Sequence, residues 1–170
     1  MADERTTTGN GAQPAAAPPA PQVRVLAQYV KDLSFENPNV DRMLAGPNEA
    51  PKLQVEVNVA ARPLTGQVNH YESAIELRAV AANSEVTIYE MEILYAGMFR
   101  IENLPPQALE PVLLINCPML LFPFIRRLAA DLTREAGFPP LLLDPIDFAS
   151  LYVERQRQQQ ASRLLNLGLR

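Results

Sequence analysis

The sequence predicts an α+β domain: a four-stranded antiparallel sheet packed with a long helix, a short helix and a C-terminal helix. Apolar residues recur at every second position in four stretches between residues 23 and 95, then at three- and four-residue steps from Leu120 onward, the two periods that distinguish strands from helices. The breaks between the last three strands are short and turn-like, which favours antiparallel neighbours. A chain of 170 residues, 48% hydrophobic and 20% charged, is long and apolar enough for one folded core with tails.

Residues 1–22, MADERTTTGNGAQPAAAPPAPQ, are rich in Ala, Pro, Gly and Thr and have no periodic apolar positions. They cannot bury enough surface to offset the entropy of ordering, so a disordered tail is expected, followed by a folded domain over 23–155. In the first strand Val23, Val25, Ala27 and Tyr29 are expected on one side, with an irregularity near Val30 after which Leu33 and Phe35 continue it. Residues 37–51 hold three prolines and a glycine, which suits a long crossover better than a hairpin. Strands resume at Leu53, Val55, Val57 and Val59, at Ile75, Leu77, Ala79 and Ala81, and at Val86 to Tyr95. Gly66 and Ala82-Asn83-Ser84 mark the turns.

The helical period then takes over. Leu109 to Ile115 predicts a short helix, and Leu120, Leu121, Phe124, Ile125, Leu128 and Leu132 form the apolar stripe of a long one. Asn116 and Pro118 suit its start, while Gly137 followed by Pro139 and Pro140 ends it. Asp144 as N-cap, Pro145 at the first helical position and Asp147 in the first turn predict a last helix carrying Phe148, Leu151 and Tyr152. This helix is expected to fray through QRQQQASR, leaving 156–170 as a flexible basic tail.

Charge narrows the partners. The net charge is −4, yet residues 151–170 carry one acid, Glu154, and four arginines, so the tail is at +3 and the remainder at about −7. An acidic body without a basic, aromatic-lined stripe argues against nucleic acid as partner. One cysteine, Cys117, and one histidine, His70, exclude an intramolecular disulfide and a Cys/His metal site. No secretory leader and no apolar run of roughly 18 residues is evident, so a soluble cytoplasmic protein without membrane insertion is expected.

Catalysis lacks its parts. His70 sits in the polar turn QVNHY, away from any nucleophile, and no phosphate-cradling glycine loop or metal-spaced carboxylate set occurs. No cofactor, metal or catalytic residue is assigned, and Cys117 reads as a small buried hydrophobe. Two acidic constellations stand out instead: Asp32 and Glu36 opposite Leu33 and Phe35, and Glu90 and Glu92 opposite Met91 and Ile93. Each pair shares a strand face, which makes a solvated polar surface or a docking patch for a basic partner. A long helix covering one sheet face leaves the flank of Leu121, Phe124 and Leu128 to be buried by self-association.

Four ordered blocks carry a family resemblance: YVKDLSFENPN (29–39), YAGMFRIENL (95–104), NCPMLLFPFIRRLAADLTREAGFPPLLL (116–143) and DPIDFASLY (144–152). From about Val23 to about Gln160 the chain resembles the bacterial protein-export chaperone SecB. The resemblance implies an ATP-independent chaperone, not an enzyme, that binds unfolded preproteins, keeps them translocation-competent and delivers them to the SecA motor. It further implies a homotetramer built as a dimer of dimers, with the long helix between dimers. Family SecA-docking acids fall on Asp32, Glu36 and Glu92, with Glu90 beside them. The client-binding groove maps to Leu53, Val55, Val57, Phe148 and Tyr152, with Met43 and Leu44 closing over it. The crossover lacks a tryptophan seen in some members, and the basic tail replaces an acidic one.

Two alternatives remain at this level. A general holdase or antitoxin-linked chaperone would share the fold without SecA delivery. A small-ligand binder or enzyme would need a closed cavity with convergent polar groups.

Overall fold

The computed structural model of the protein describes residues 19–41, 50–84 and 86–168. The predicted tail over 1–22 lies mostly outside the described residues, and Gln22 already belongs to the first strand. Four strands, β1 (Gln22–Glu36), β2 (Lys52–Pro63), β3 (His70–Ala82) and β4 (Thr87–Glu102), form one antiparallel sheet in the order β1-β4-β3-β2. Thus β2, β3 and β4 pair successively, and β1 crosses over to the far side of β4. Asn69 and Gly66 take positive φ in the β2–β3 turn, and Asn83 closes the next by receiving the Val86 N–H on its side chain.

Strand β1 departs from simple alternation because it carries two bulges, at Leu26 and at Lys31. Each extra residue reverses the side-chain parity. Val23 and Val25 oppose Ile101 and Phe99, whereas Ala27 and Tyr29 oppose Met98 and Ala96 on the other face. The expected run Val23, Val25, Ala27, Tyr29 is therefore split between faces. Leu33 and Phe35 return to the side of Ile93 and Met91.

One sheet face carries the core. Ile75, Leu77, Met91, Ile93 and Phe99 pack there against Leu121, Ile125 and Ala129. The helices are α1 (Pro106–Pro111), a π-helical turn (Val112–Asn116) and α2 (Cys117–Glu135). These are continuous, so the expected break and cap at Asn116 do not exist; Asn116 is helical and makes no side-chain cap bond. The Cys117 N–H reaches back to the Val112 carbonyl, five residues earlier. Pro118 supplies a reason, since it has no N–H for the α-helical bond to Leu114. Ser73 Oγ uses the irregularity, donating to the Leu113 carbonyl at 2.9 Å.

Gly137 closes α2 as expected, with φ +88 and the Phe138 N–H bonded to the Thr133 carbonyl at 2.9 Å, a six-to-one closure. The extended segment 139–147 follows. Thr133 Oγ1 accepts the Leu141 N–H at 2.9 Å and fixes that segment to α2. The last helix, α3 (Phe148–Gly168), starts three residues later than expected, because its cap is Asp147: Oδ1 accepts the Ser150 N–H at 3.0 Å. The predicted fraying is not seen either; α3 continues to Gly168 through the glutamine run, residues of good helix propensity.

Candidate functional site

The sheet face away from the helices is set by strand register. Directly opposed residues of an antiparallel ladder point to the same side, so Glu36 stands beside Glu90, Ser34 beside Glu92 and Asp32 beside Leu94. The same rows run on through β3 and β2: Glu92 meets Arg78 and Glu56, and Leu94 meets Glu76 and Asn58. Asp32, Glu36, Glu90 and Glu92 therefore do share one face. Glu56 and Glu76 join them and were missed in the sequence, although their even parity on strands placed them once register was known. Arg78 was missed as well: its guanidinium pairs with Glu90, its Nε standing 3.1 Å from Glu90 Oε1 and 3.4 Å from Glu92 Oε1. The hydrogen bond and charge of Glu90 raise the Arg78 pKa, so the cation is permanent.

Farther along the same face lies a carboxylate of a different kind. Glu72 is only 5% exposed and takes bonds from both edge strands: Tyr29 Oη at 2.6 Å, Lys31 Nζ at 2.7 Å and Arg62 at 3.0 and 3.1 Å. Burial alone would raise its pKa, but the Arg62, Lys31 and Tyr29 donors and the Lys31 charge outweigh it and hold the carboxyl at about 2.

The helix-side face offers a trough at the β2 edge. Leu53 and Val55 are 45% and 40% exposed and, with Val57, face segment 141–146 and Leu151 across a hollow of about 440 Å³. A second hollow of about 500 Å³ shares Val57 and Leu151 and extends to Tyr152, Arg155 and Gln158. Backbone direction matters here too. The Leu64 N–H bonds the His70 carbonyl, so even-numbered residues of β2 pair with β3 and odd-numbered ones turn their N–H and C=O outward. The Val59 carbonyl follows this rule, accepting from Arg155 at 2.7 Å.

Similarity to known proteins decides what these surfaces belong to. The family model described as preprotein translocase subunit SecB matches residues 16–160. The chain is 46% identical over 157 residues to the protein-export protein SecB of Bradyrhizobium sp. (strain BTAi1), covering 92% of this chain and 95% of that protein. It is 47% identical over 155 residues to that of Rhodopseudomonas palustris (strain BisA53), covering 91% and 94%. The chain belongs to the SecB family. Its function is that of a preprotein-export chaperone. A SecB-like chaperone of Mycobacterium tuberculosis, solved in complex with an antitoxin peptide, shares the fold with a TM-score of 0.58 at 15% identity, covering 73% of this chain and 90% of that one.

Within this SecB-family fold, several sequence expectations need correction. Phe148 does not line the trough: at 3% exposure it is core, its ring edge-on to Phe122 at 6.0 Å. Tyr152 does line it, and Met43 and Leu44 lie outside the described residues. Leu121 is not free for a second subunit, because it is fully buried against the sheet of its own chain. Phe124 and Leu120, at 42% and 47% exposure, carry that flank, with Leu128 half-buried beside them. Phe124 lies parallel to Tyr95 at 6.3 Å. The 30-residue helical stretch Pro106–Glu135 has the length and apolarity of a membrane span, contrary to expectation, but its buried flank is packed on the sheet. Cys117 sits inside that stretch and not at a helix start; burial pushes its thiol up to about 12, so it is an inert hydrophobe.

Proposed function

We propose that this chaperone holds unfolded preproteins in the β2 trough and presents them, ATP-independently, to the SecA motor through the acidic face of the same sheet. One observation carries the proposal: trough and acidic rows lie on opposite faces, so a client and a motor can be engaged together without competing. The trough is open to solvent along the β2 edge and is not a closed cavity, which favours an extended chain over a small ligand. Leu53, Val55 and Val57 turn both side chains and outward backbone groups toward it, the two elements an extended polypeptide needs. The peptide bound in the SecB-like chaperone of the same fold supports polypeptide, as a class, as the client. No catalytic step enters this reading, and cytoplasmic residence follows from partners that meet before translocation.

Asp32, Glu36, Glu90 and Glu92, joined by Glu56 and Glu76, offer a negative surface to a cationic partner, which accelerates and orients encounter. Self-association into a dimer of dimers would cover the Leu120 and Phe124 flank. The antitoxin-linked alternative rests on a likeness of fold alone, whereas the export relatives match at 46% and 47% identity. Titration of purified SecA against the full chain tests the docking face. Asp32→Ala and Glu92→Ala should each weaken binding by about tenfold, the effect of roughly 1.4 kcal/mol, while capture of an unfolded client stays intact. Unchanged SecA affinity in both variants would remove SecA docking from this face.

A further inference from the structure

Asp32 faces the acidic rows only because β1 has an extra residue. Tyr29 opposes Ala96 and Val30 opposes Tyr95, then Lys31 is passed over and Asp32 opposes Leu94. In an uninterrupted register Lys31 would stand opposite Leu94, and Asp32, Ser34 and Glu36 would turn toward the helices. The extra residue is held from two strands away. Lys31 Nζ meets Glu72 Oε1 at 2.7 Å and Tyr29 Oη meets Glu72 Oε2 at 2.6 Å, so one buried carboxylate on β3 grips the bulge residue and its neighbour but one. Ala96 and Ala74, both buried, lie opposite one another between them and leave the side chains room to cross. Arg62, opposite Glu72 on β2, fixes the carboxylate from the other side.

We propose that Glu72 is a positioning residue for motor docking: through Lys31 it pins the β1 bulge and thereby aims Asp32 at the partner. This rests on the docking role of the acidic face. Glu72 itself is covered by its donors and does not touch the partner; its effect is transmitted through β1 alone. Glu92, carried by β4, is independent of the bulge.

Two mutant cycles on the full chain, read as affinity for purified SecA, separate positioning from general support of the fold. Lys31→Met is the gentle variant, since an exposed lysine is removed and Glu72 keeps Tyr29 and Arg62; Glu72→Gln is the stronger one. Each should weaken SecA binding by about three- to tenfold. With Asp32 and Glu36 both changed to Ala, either should cost nothing further, because both acids follow the bulge on β1, whereas combined with Glu92→Ala the losses should multiply. Losses that multiply equally with the Asp32→Ala, Glu36→Ala pair and with Glu92→Ala overturn the positioning role. An Asp32→Ala variant that binds SecA like the parent chain removes the docking role of Asp32, an outcome visible in the single variant before any cycle is closed.

Discussion

At the scale of single residues, Glu72 is a buried carboxylate held by donors from both edge strands. Its carboxyl is lowered from an ordinary 4.5 to about 2, so the folded state holds the anion while the unfolded chain readily takes a proton. A depressed folded pKa stabilises above the unfolded value and loses that contribution as pH falls through the folded one. The window is therefore about pH 4.5 down to pH 2, and the contribution at neutral pH is up to about 3 kcal/mol. Glu72→Gln should be less stable than the parent chain by up to that amount at pH 7 in urea denaturation, and the gap should shrink steadily toward pH 2. A gap that stays constant across this range would mean that the carboxylate contributes by shape and not by charge. Arg78 works in the opposite sense for function. It offsets part of the negative rows at Glu90 and Glu92, so the most exposed negative potential shifts toward Asp32 and Glu36 on β1.

At the scale of elements, the contact between α2 and the sheet turns on Gly97. A Cβ there would meet Leu121 Cδ2 at 2.8 Å and Phe99 Cε2 at 2.8 Å, and both side chains are fully buried with nowhere to move. Gly97→Ala should cost about 1–3 kcal/mol as an overpacked core, read as a lower urea midpoint with an unchanged slope; full stability would show that α2 can slide. Such element-level detail was only partly legible in the sequence. The strand count, the α2 stripe and the Gly137 stop were readable because period and termination chemistry are local. The irregularity expected near Val30 is the bulge at Lys31; the bulge at Leu26 was not legible, since nothing in QVRVLAQ marks an extra residue until Phe99 and Ile101 supply its partners from β4. Asn116 and Asp144 have good capping chemistry, but a helix running straight through Pro118 made the first redundant, and Asp147, which caps through Ser150, displaced the second. Phe148 and Leu121 were misassigned for a common reason: an apolar residue on a periodic stripe looks alike whether its neighbour is its own sheet, a client or another subunit.

At the scale of the whole molecule, charge and apolarity are sorted by face and by end. On the far face Arg24 and Arg100 stand opposed at one end, Tyr29, Ala96 and Ala74 form a mostly small middle row, and the acids occupy the other end. On the helix side the trough lies along the β2 edge, while the β1 edge leaves Val23, Val25, Val30 and Leu33 exposed. Register puts these four on the same side as Tyr95 and Phe99, and Phe124 reaches toward them over Tyr95. The exposed apolar side chains of β1 and of the α2 flank thus border one another, away from the trough. A continuous apolar surface of this kind is uncommon on a monomer and suits burial against another protein surface. If a second pair of subunits covers the α2 flank, the parent chain should scatter light as a species of four times the 18.8 kDa subunit mass, and Leu120→Glu with Phe124→Glu should yield no species larger than a dimer. Both positions are exposed in the subunit, so the substitutions bury no charge in its own core and should leave its secondary structure intact. A doubly substituted chain that still scatters at four times the subunit mass would assign the seam elsewhere and leave the Leu120 and Phe124 flank as additional surface for clients.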